Sequence, residues 1–327
     1  MKTNKSLTKA KKIKNDEFYT LWNDVANEVS LYKDQLKGKR ILCPCDWDES
    51  YNEEFVYKEE SICKDGEGSL SKLLTKGTIK HINIKASKKK IEKDLDLIKC
   101  NFIKFLVSHA DTYESTSISA SGYDPATGKG VRFQDIDYSK YDIVITNPPF
   151  SQFREFITVM MKNKMKFLII GPKNAITYKD VFKYIKANKI WLGYNCNLTN
   201  FLSLDHKPIT APAYWYTNLD VSRRNDRMIL TEIYDPKKYP KYDNYDAINV
   251  DRTKDIPSDY NGAMGVPISF LTKYNQEQFN ITGMAEDNGR GFSGGIWDGK
   301  NPHCVINGQN KFKRIFIKNK RLIKKGE

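Results

Sequence analysis

Apolar residues recur along the first part of the chain with two different periodicities. Between Glu17 and Leu36 they fall three and four positions apart, a spacing that predicts an amphipathic helix ended by Gly38. The short apolar run Arg40–Cys43 follows, and its length predicts a strand. A helix followed directly by a strand is the first sign of a mixed fold.

Strand and helix patterns then alternate regularly in the middle of the chain. Continuous apolar runs predict strands at Tyr141–Thr146, Phe167–Gly171 and Lys189–Leu192. Amphipathic spacing predicts helices at about Ser151–Asn163 and Thr177–Asn188. This rhythm indicates βαβ units, and therefore an α/β fold whose parallel sheet carries helices on both faces.

Three further regions complete the prediction. Residues 48–98 are rich in Lys, Glu and Asp and read as an insertion of one or two helices, with a small strand around Ile79–Ile84. A buried helix is expected at Phe102–Val107 and a strand at Ser115–Ser121. After residue 196 the rhythm fades, although Tyr214–Leu219 could form an edge strand of the sheet.

The net charge of +14 is concentrated at the two ends of the chain. Residues 1–14 and 311–325 contain many lysines and arginines and no acidic residue. Two basic ends on a nearly neutral body suit a polyanionic partner, most often nucleic acid, although frayed solvated ends would look the same. Part of the second segment alternates, which predicts a strand with one charged side.

Composition excludes several classes of protein. No apolar run approaches the ~18–20 residues that a membrane span needs, and no apolar segment follows the basic N-terminus as in a signal peptide. Six cysteines in 327 residues do not form a disulfide framework, and no CxxC pair suggests zinc. We therefore expect an intracellular, cytoplasmic protein with reduced thiols and no metal.

The candidate site is the tetrapeptide Asn147-Pro148-Pro149-Phe150, directly after the strand Tyr141–Thr146. Ligands of open α/β sheets bind beyond the carboxyl ends of the strands. The two prolines fix φ and remove two backbone donors, so the loop mainly presents acceptors. Two acceptors beside a flat aromatic ring match an exocyclic amino group on a planar base.

The same arrangement would assist methylation of that amine. The lone pair of an aromatic amine is delocalised into its ring, and acceptors outside the ring plane favour the pyramidal, nucleophilic nitrogen. A methyl donor held in line would complete the site. The structural alternative is a simple strand-ending turn, because Asn-Pro often starts turns.

These residues resemble the amino-methyltransferases that use S-adenosylmethionine, whose hallmark is (N/D/S)-P-P-(Y/F/W) after a central strand. Further segments are similar, more narrowly, to the EcoRI-type adenine-N6-specific DNA methyltransferase family. These segments are Asp16–Thr20, Phe150–Glu155, Ala175–Tyr178, Ile190–Gly193, Tyr239–Val250 and Met264–Ile268. The similarity spans about residues 14 to 279, apart from the 48–98 stretch.

The resemblance implies a Rossmann-like class I methyltransferase sheet and methylation of adenine N6 in double-stranded DNA. The target base would be flipped out of the duplex, because its amine cannot be reached inside the stack. Asn147 and Pro148 would hold N6, Pro149 would stiffen the loop and Phe150 would stack on the base. The implied donor-binding residues are Phe18, Tyr19, Thr20, Cys45, Asp46, Tyr123, Asp135 and Asn147.

The chain departs from the family pattern at the donor site. Cys43–Asp48 contains no glycine where a glycine-rich loop is usual, so Asp46 could equally be a helix cap. Tyr123 and Asp124 are the nearest candidates to hold the donor's ribose. Asp135 and Asp137 compete for the contact with the donor's adenine.

The resemblance also divides the chain. Residues 1–220 would form the S-adenosylmethionine-binding catalytic domain, and residues 221–327 the DNA target-recognition region. Glycines in Asn288–Gly295 could let backbone approach phosphates, or could form a flexible loop. The candidate DNA contacts, for which a solvated basic face is the alternative, are Arg223, Arg224, Arg227, Arg290, Lys313 and Arg314.

The implied partner is double-stranded DNA, with a monomeric, bacterial or phage-encoded enzyme serving restriction–modification or DNA protection. A cognate restriction endonuclease acting separately is allowed by the family analogy. Two other functions stay open: methylation of a protein glutamine amide, and DNA binding by a protein with a degenerate donor pocket.

Overall fold

The computed structural model describes residues 18–46, 56–62, 77–94, 98–124, 129–203, 207–286 and 292–322. The chain divides into two compact units. The first comprises the chain up to Ala175 together with Leu192–Asp220. The second comprises Ile176–Trp191 and the chain from Val221 onward, so it includes a segment from the middle of the sequence.

A large mixed sheet forms the first unit. Its strands are β1 (Tyr19–Thr20), β2 (Arg40–Cys43), β3 (Val56–Ile62), β4 (Gly77–Ile82), β5 (Ser117–Ala120), β8 (Ile143–Thr146), β9 (Lys166–Pro172), β10 (Trp191–Leu192), β11 (Leu198–Leu202) and β12 (Pro208–Thr217). They are ordered β1-β11-β12-β9-β8-β2-β5-β4-β3, and β10 pairs with β12. A separate hairpin pairs β6 (Tyr123–Asp124) with β7 (Lys129–Gly130).

The centre of the sheet is parallel. β5, β2, β8 and β9 run in the same direction, and every residue of β8 is buried. The α-helices among the described residues are α1 (Trp22–Val29), α2 (Lys33–Leu36), α3 (Ile84–Ile91), α4 (Asn101–Ser108), α5 (Phe153–Lys162) and α6 (Lys179–Lys186). The predicted α/β class is confirmed, with parallel strands covered by helical segments as the continuous apolar runs indicate.

The predicted N-terminal helix is wrong over its first residues. Tyr19–Thr20 forms an edge strand that pairs with Leu202 and Phe201, and α1 begins only at Trp22. The predicted cap, Asn15 or Asp16, lies outside the described residues. Pairing with a strand distant in sequence overrides the local helical spacing, as tertiary context often does.

The prediction for residues 48–98 is confirmed for its small strand and for one helix, but it missed the strand β3. The described part of this stretch forms an antiparallel pair, β3 and β4, that extends the main sheet beyond β5, followed by one helix, α3. The strand expected around Ile79–Ile84 is β4. Charged residues are compatible with strands at the edge of a sheet, where one side faces solvent.

Tyr214–Leu219 does not form an edge strand. It overlaps the longer strand β12, which lies between β9 and β11 and pairs antiparallel with both. Its residues from Ala213 to Thr217 are buried. An interior antiparallel strand therefore borders the parallel centre.

The second unit contains a smaller sheet of β13 (Ile248–Asn249), β14 (Met264–Pro267), β18 (Arg314–Asn319) and β15 (Phe279–Met284), in that order. A two-stranded pair, β16 (Val305–Ile306) with β17 (Gln309–Asn310), accompanies it. The strand expected in the basic segment is present as β18, but the expected charged side is not, since Arg314 through Ile317 are all buried. β18 lies between β14 and β15, and its two faces are covered.

Candidate active site

The loop Asn147–Phe150 continues directly from the buried end of β8. Asn147, Pro148 and Pro149 are buried, whereas Phe150 is half-buried and opens a 3₁₀ turn, Phe150–Gln152. The Gln152 N–H donates to the Pro149 carbonyl at 3.0 Å. Two fixed φ angles and this turn make the loop stiff.

The side chain of Asn147 is held at one end only. It is 7% exposed, and its amide nitrogen donates to the Phe18 carbonyl at 2.8 Å and to Thr20 Oγ1 at 3.3 Å. Within the described part of the chain, its Oδ1 atom is buried and has no hydrogen-bond partner. Buried polar atoms are nearly always satisfied, so an open acceptor at this position indicates a ligand.

Three phenylalanines cluster beside this acceptor. The ring centre of Phe150 lies 5.4 Å from that of Phe18 and 6.1 Å from that of Phe201, both edge-to-face. Phe201 belongs to β11 and was not predicted as a site residue, because no motif marks it. These contacts fix the orientation of the ring that is predicted to stack on the substrate.

Asp46 lies close to the residue that precedes Asn147. Its carboxylate is 9% exposed and accepts from the Thr146 hydroxyl at 2.5 Å and from the Cys100 thiol at 3.5 Å. Thr146 Oγ1 in turn accepts from the Cys45 N–H at 3.2 Å. The loop after β2 is therefore joined to the strand that carries the candidate catalytic loop.

Sequence reasoning missed Thr146 and Cys100. Thr146 had a usable signal, since it is the single polar residue at the end of the apolar strand β8. Cys100 had no such signal, because it precedes α4 and contacts Asp46 only in the folded protein.

Burial, and then the neighbouring Asp46 and thiols, raises the pKa of Cys43 well above its ordinary value, so this thiol stays protonated at neutral pH.

The strand β1 is anchored independently of Asn147. The Asn101 amide donates to the Thr20 carbonyl at 2.7 Å, and Tyr19 and Thr20 pair with β11. Thr20 is 4% exposed, whereas Tyr19 is half-buried. The predicted donor segment and the predicted catalytic loop are thus brought together, although they are 127 residues apart.

The other predicted donor contacts are placed as follows. The Tyr123 hydroxyl accepts from Arg132 at 3.2 Å, and that guanidinium lies 4.8 Å from the Tyr123 ring centre. Asp135 is half-buried at the end of a 3₁₀ turn, Phe133–Asp135. Its competitor Asp137 is exposed and caps the next turn through Ser139, whose hydrogen bonds lower the pKa of Asp137. Asp137 thus has a local structural role.

The carboxylate of Glu28 explains why the motif Ile190–Gly193 ends in a glycine. Its fully buried carboxylate accepts from the backbone N–H groups of Tyr194 and Asn195 at 2.8 and 2.6 Å, and from the Tyr32 hydroxyl at 2.8 Å. A Cβ on Gly193 would lie 2.1 Å from Glu28 Oε1. Glycine is required here so that the loop can approach the carboxylate.

The predicted DNA contacts differ in their surroundings. Arg227 is exposed and Arg223 and Lys313 are half-buried, whereas Arg290 lies outside the described residues. The Arg224 guanidinium lies 3.7 Å from the ring centre of Trp191 and donates to Asn188. These four described side chains all belong to the second unit.

Arg314 and the glycine-rich segment have internal partners. Arg314 is 7% exposed and contacts Asn249 and Asp251, each at 3.3 Å. In the described end of the glycine-rich segment, Gly294 has φ +72°, and a Cβ there would lie 2.5 Å from the Thr282 carbonyl oxygen. This close backbone approach is to β15 of the same unit.

The described residues contain neither a candidate metal-binding cluster nor a candidate membrane-spanning helix. No group of three or more His, Cys, Asp or Glu side chains in these residues is arranged to hold a metal ion. No helix among them is both long and apolar enough to cross a membrane.

A stiff Asn-Pro-Pro-Phe loop after a buried parallel strand, with an open amide acceptor beside an aromatic ring, defines the class of Rossmann-like amino-methyltransferases. Comparison with known proteins specifies the class. The family model for the adenine-specific methyltransferase EcoRI matches residues 6–211 and 206–320. The chain therefore belongs to the EcoRI family of adenine-specific methyltransferases, as its motifs predict.

Individual relatives agree with this assignment. The chain is 39% identical to the type II methyltransferase M.EcoRI of Escherichia coli, over 98% of each protein. It is 31% identical to a type II methyltransferase of Mycoplasma genitalium, over 84% of each. It is 30% identical to M.MpnI of Mycoplasma pneumoniae, over 84% of this chain and 83% of that protein. No solved structure matches the chain significantly.

These comparisons confirm the predicted enzyme class. The protein is an adenine-specific methyltransferase of the type II, restriction–modification kind. The degenerate, purely DNA-binding alternative and the protein-methylating alternative are not favoured.

Proposed function

We propose that the protein transfers a methyl group from S-adenosylmethionine to N6 of an adenine flipped out of double-stranded DNA. The observation that carries this proposal is the buried Oδ1 of Asn147 at the carboxyl end of β8, which has no hydrogen-bond partner in the described part of the chain. An exocyclic amine supplies the N–H donor that this atom lacks. The Pro148 carbonyl accepts the second N–H, and the ring of Phe150 stacks on the base.

The acceptor oxygens of Asn147 and Pro148 would stabilise an amine that becomes positively charged, not a developing negative charge. As the N6–methyl bond forms and the methyl–sulfur bond breaks, leaving a neutral thioether, the nitrogen gains positive charge. The two acceptor oxygens would stabilise this charge before the amine loses a proton to water. The prolines hold the acceptors in place, so little reorganisation is needed. Phe18 and Phe201 restrict the rotation of Phe150 and so orient the plane of the base.

The residues at the end of β2 fit S-adenosylmethionine. The donor's ammonium group, ribose hydroxyls and adenine amine are all hydrogen-bond donors, and Asp46 is a buried carboxylate that could accept from them. When bound, the donor supplies the activated methyl group. Phe18, Tyr19, Thr20, Cys45, Tyr123, Asp135 and Asn147 are the other proposed donor contacts, and Asp46 is positioned by Thr146 and Cys100.

We assign residues 1–220 to donor binding and catalysis and residues 221–327 to recognition of the DNA target. Arg227 is exposed and Arg223 and Lys313 are half-buried, and all three carry the charge that phosphates attract. Arg290 and Arg224 remain proposed contacts. Arg314 is the least favoured of the proposed DNA contacts, because its guanidinium already contacts Asp251. DNA affinity should fall as salt rises, through release of counterions.

The direct test is transfer of a labelled methyl group from S-adenosylmethionine to unmethylated genomic DNA, followed by mass analysis of the nucleosides. We expect N6-methyladenine at a defined sequence, and methylated DNA should resist a cognate endonuclease. Label in a protein fraction instead of DNA would favour the glutamine-amide function. Donor binding without any transfer to DNA would contradict the proposed substrate.

A further inference from the structure

The contacts of Asn147 assign a role to residues outside its own loop. Its amide nitrogen donates to the Phe18 carbonyl at 2.8 Å and to Thr20 Oγ1 at 3.3 Å, and both acceptors belong to Phe18–Thr20, the β1 segment. Its Oδ1 atom has no partner among the described residues. The β1 segment therefore determines which end of the amide is left without a partner.

An asparagine amide can present either its oxygen or its nitrogen to a substrate. If the amide of Asn147 rotated by half a turn, its oxygen would face the Phe18 carbonyl, and two acceptors would oppose each other in a buried site. Its NH₂ would then face the substrate amine, where two donors would oppose each other. The two acceptors of the β1 segment disfavour this reversed state.

The orienting segment is itself well fixed. Tyr19 and Thr20 pair with β11, and the Thr20 carbonyl accepts from Asn101 at 2.7 Å. The Phe18 ring packs against Phe150 and Phe201 with centres 5.4 and 5.9 Å away. Because the β1 segment is rigid, it can hold Asn147 in one rotamer without rearranging when substrate binds.

We propose that Thr20 is a positioning residue for methyl transfer, whose hydroxyl acts with the Phe18 carbonyl to point Asn147 Oδ1 at the adenine amine. This role goes beyond the contact with S-adenosylmethionine predicted for Thr20, because here the Thr20 hydroxyl positions the amide of Asn147. The inference rests on the proposed function, since the amine that Oδ1 receives is adenine N6.

The test compares Thr20→Val, which keeps the shape and removes the acceptor, with Thr20→Ser, which keeps the hydroxyl. Single-turnover methyl transfer is measured at saturating S-adenosylmethionine and DNA, alongside the dissociation constant of the donor. Base flipping is followed by the fluorescence of 2-aminopurine at the target position. This base lacks the 6-amino group, so its signal is independent of the contact with Asn147.

We expect the rate constant of T20V to fall about tenfold, a barrier increase of about 1.4 kcal/mol. T20S should stay within about threefold of the unmodified enzyme. The loss in T20V should persist at saturating S-adenosylmethionine, and its flipping signal should change less than twofold. A T20V rate equal to that of the unmodified enzyme would overturn the proposal. So would a loss that appears only as weaker donor binding and disappears at saturating donor.

Asn147→Asp provides a second, independent test. A carboxylate offers the amine at least as many acceptors as the amide does, but it has no N–H for the Phe18 carbonyl. We expect N147D to lose more activity than T20V, and full activity in N147D would refute the orienting role. Failure of the unmodified enzyme to methylate adenine would instead refute the proposed function, so the two failures are distinct.

Discussion

Two buried asparagines, one in each unit, show how differently the same side chain can be used. Asn249 is 4% exposed, and its Oδ1 accepts from the Tyr242 hydroxyl at 2.7 Å and from Arg314 Nε at 3.3 Å. Its amide nitrogen donates to Asp251 at 2.9 Å. Asn147 is almost as buried, at 7% exposure, but only its nitrogen is satisfied within the described chain.

The difference distinguishes an amide that stabilises the fold from the amide that we propose binds the substrate. A fully bonded buried amide stabilises the fold, because removing it leaves its partners unsatisfied at a cost of about 1–3 kcal/mol. A half-bonded amide carries that cost already, and a substrate can relieve it. Mutations at the two positions should therefore affect different measurements.

The largest expected effect is on catalysis. Asn147→Ala should lower the methyl-transfer rate by at least about 10²-fold, as for other groups that stabilise a developing charge. The affinity for S-adenosylmethionine should fall far less than the rate, and the urea midpoint should shift less than in Asn249→Ala. Activity of N147A close to that of the unmodified enzyme would contradict the assignment of the acceptor.

Asn249→Ala should have the opposite profile. It should destabilise the protein by about 2–3 kcal/mol, because Tyr242 and the Arg314 guanidinium would lose a buried partner. Urea denaturation followed by intrinsic fluorescence measures this change, with N147A as the matched control. A larger shift of the midpoint in N147A than in N249A would reverse the comparison.

A third change tests whether the loop after β2, which is proposed to bind S-adenosylmethionine, depends on the strand that leads to Asn147. Thr146→Val removes a hydroxyl that donates to Asp46 and accepts from Cys45, immediately before Asn147. We expect donor affinity to fall about tenfold, or about 1.4 kcal/mol. Calorimetry with S-adenosylmethionine measures it, and Thr146→Ser should restore most of the affinity.

The smallest effect concerns a half-exposed pair. Asp142 accepts from the Arg40 side chain at 2.8 and 3.1 Å and from the Arg40 backbone at 2.8 Å. The side-chain hydrogen bonds of Arg40 lower the pKa of Asp142 below its ordinary value of 3.8. The exposed position limits the expected loss in Asp142→Asn to about 0.5–1 kcal/mol.

The pH dependence of this pair has a definite sign. Because the pKa is lowered in the folded state, the stabilisation is present above pH 3.8 and is lost as pH falls through the lower folded value. Urea midpoints of D142N and the unmodified protein should therefore differ at pH 7 and converge in acid. An unchanged difference in acid would mean that the charge of Asp142 is not the cause.

Local pattern predicted the parallel centre of the first unit well. Strands β8 and β9 and helix α5 are specified by apolar runs and periodicity within about 30 residues, the length of a βαβ unit. The Asn-Pro-Pro-Phe loop follows from its own composition. These features depend on neighbours in sequence, so they could be derived before the fold was known.

Elements that depend on distant partners were predicted less well. Tyr19–Thr20 has helical spacing but forms a strand, because β11 offers unpaired backbone groups at the sheet edge. β18 has alternating charge but is buried between two strands, and Arg314 finds Asp251 there. No local pattern contains such partners.

Patterns within short segments were sufficient to identify the family, the chemistry of the loop and the position of that loop after a central strand. Only the folded protein brings Phe18 and Thr20 to Asn147, Thr146 and Cys100 to Asp46, and Phe201 to Phe150. Thr20 and Asn147 are 127 residues apart, and Asp46 and Thr146 are 100 apart. Hydrogen bonds over such separations depend on distances of a few ångströms, which are set only when the sheet has brought the strands together.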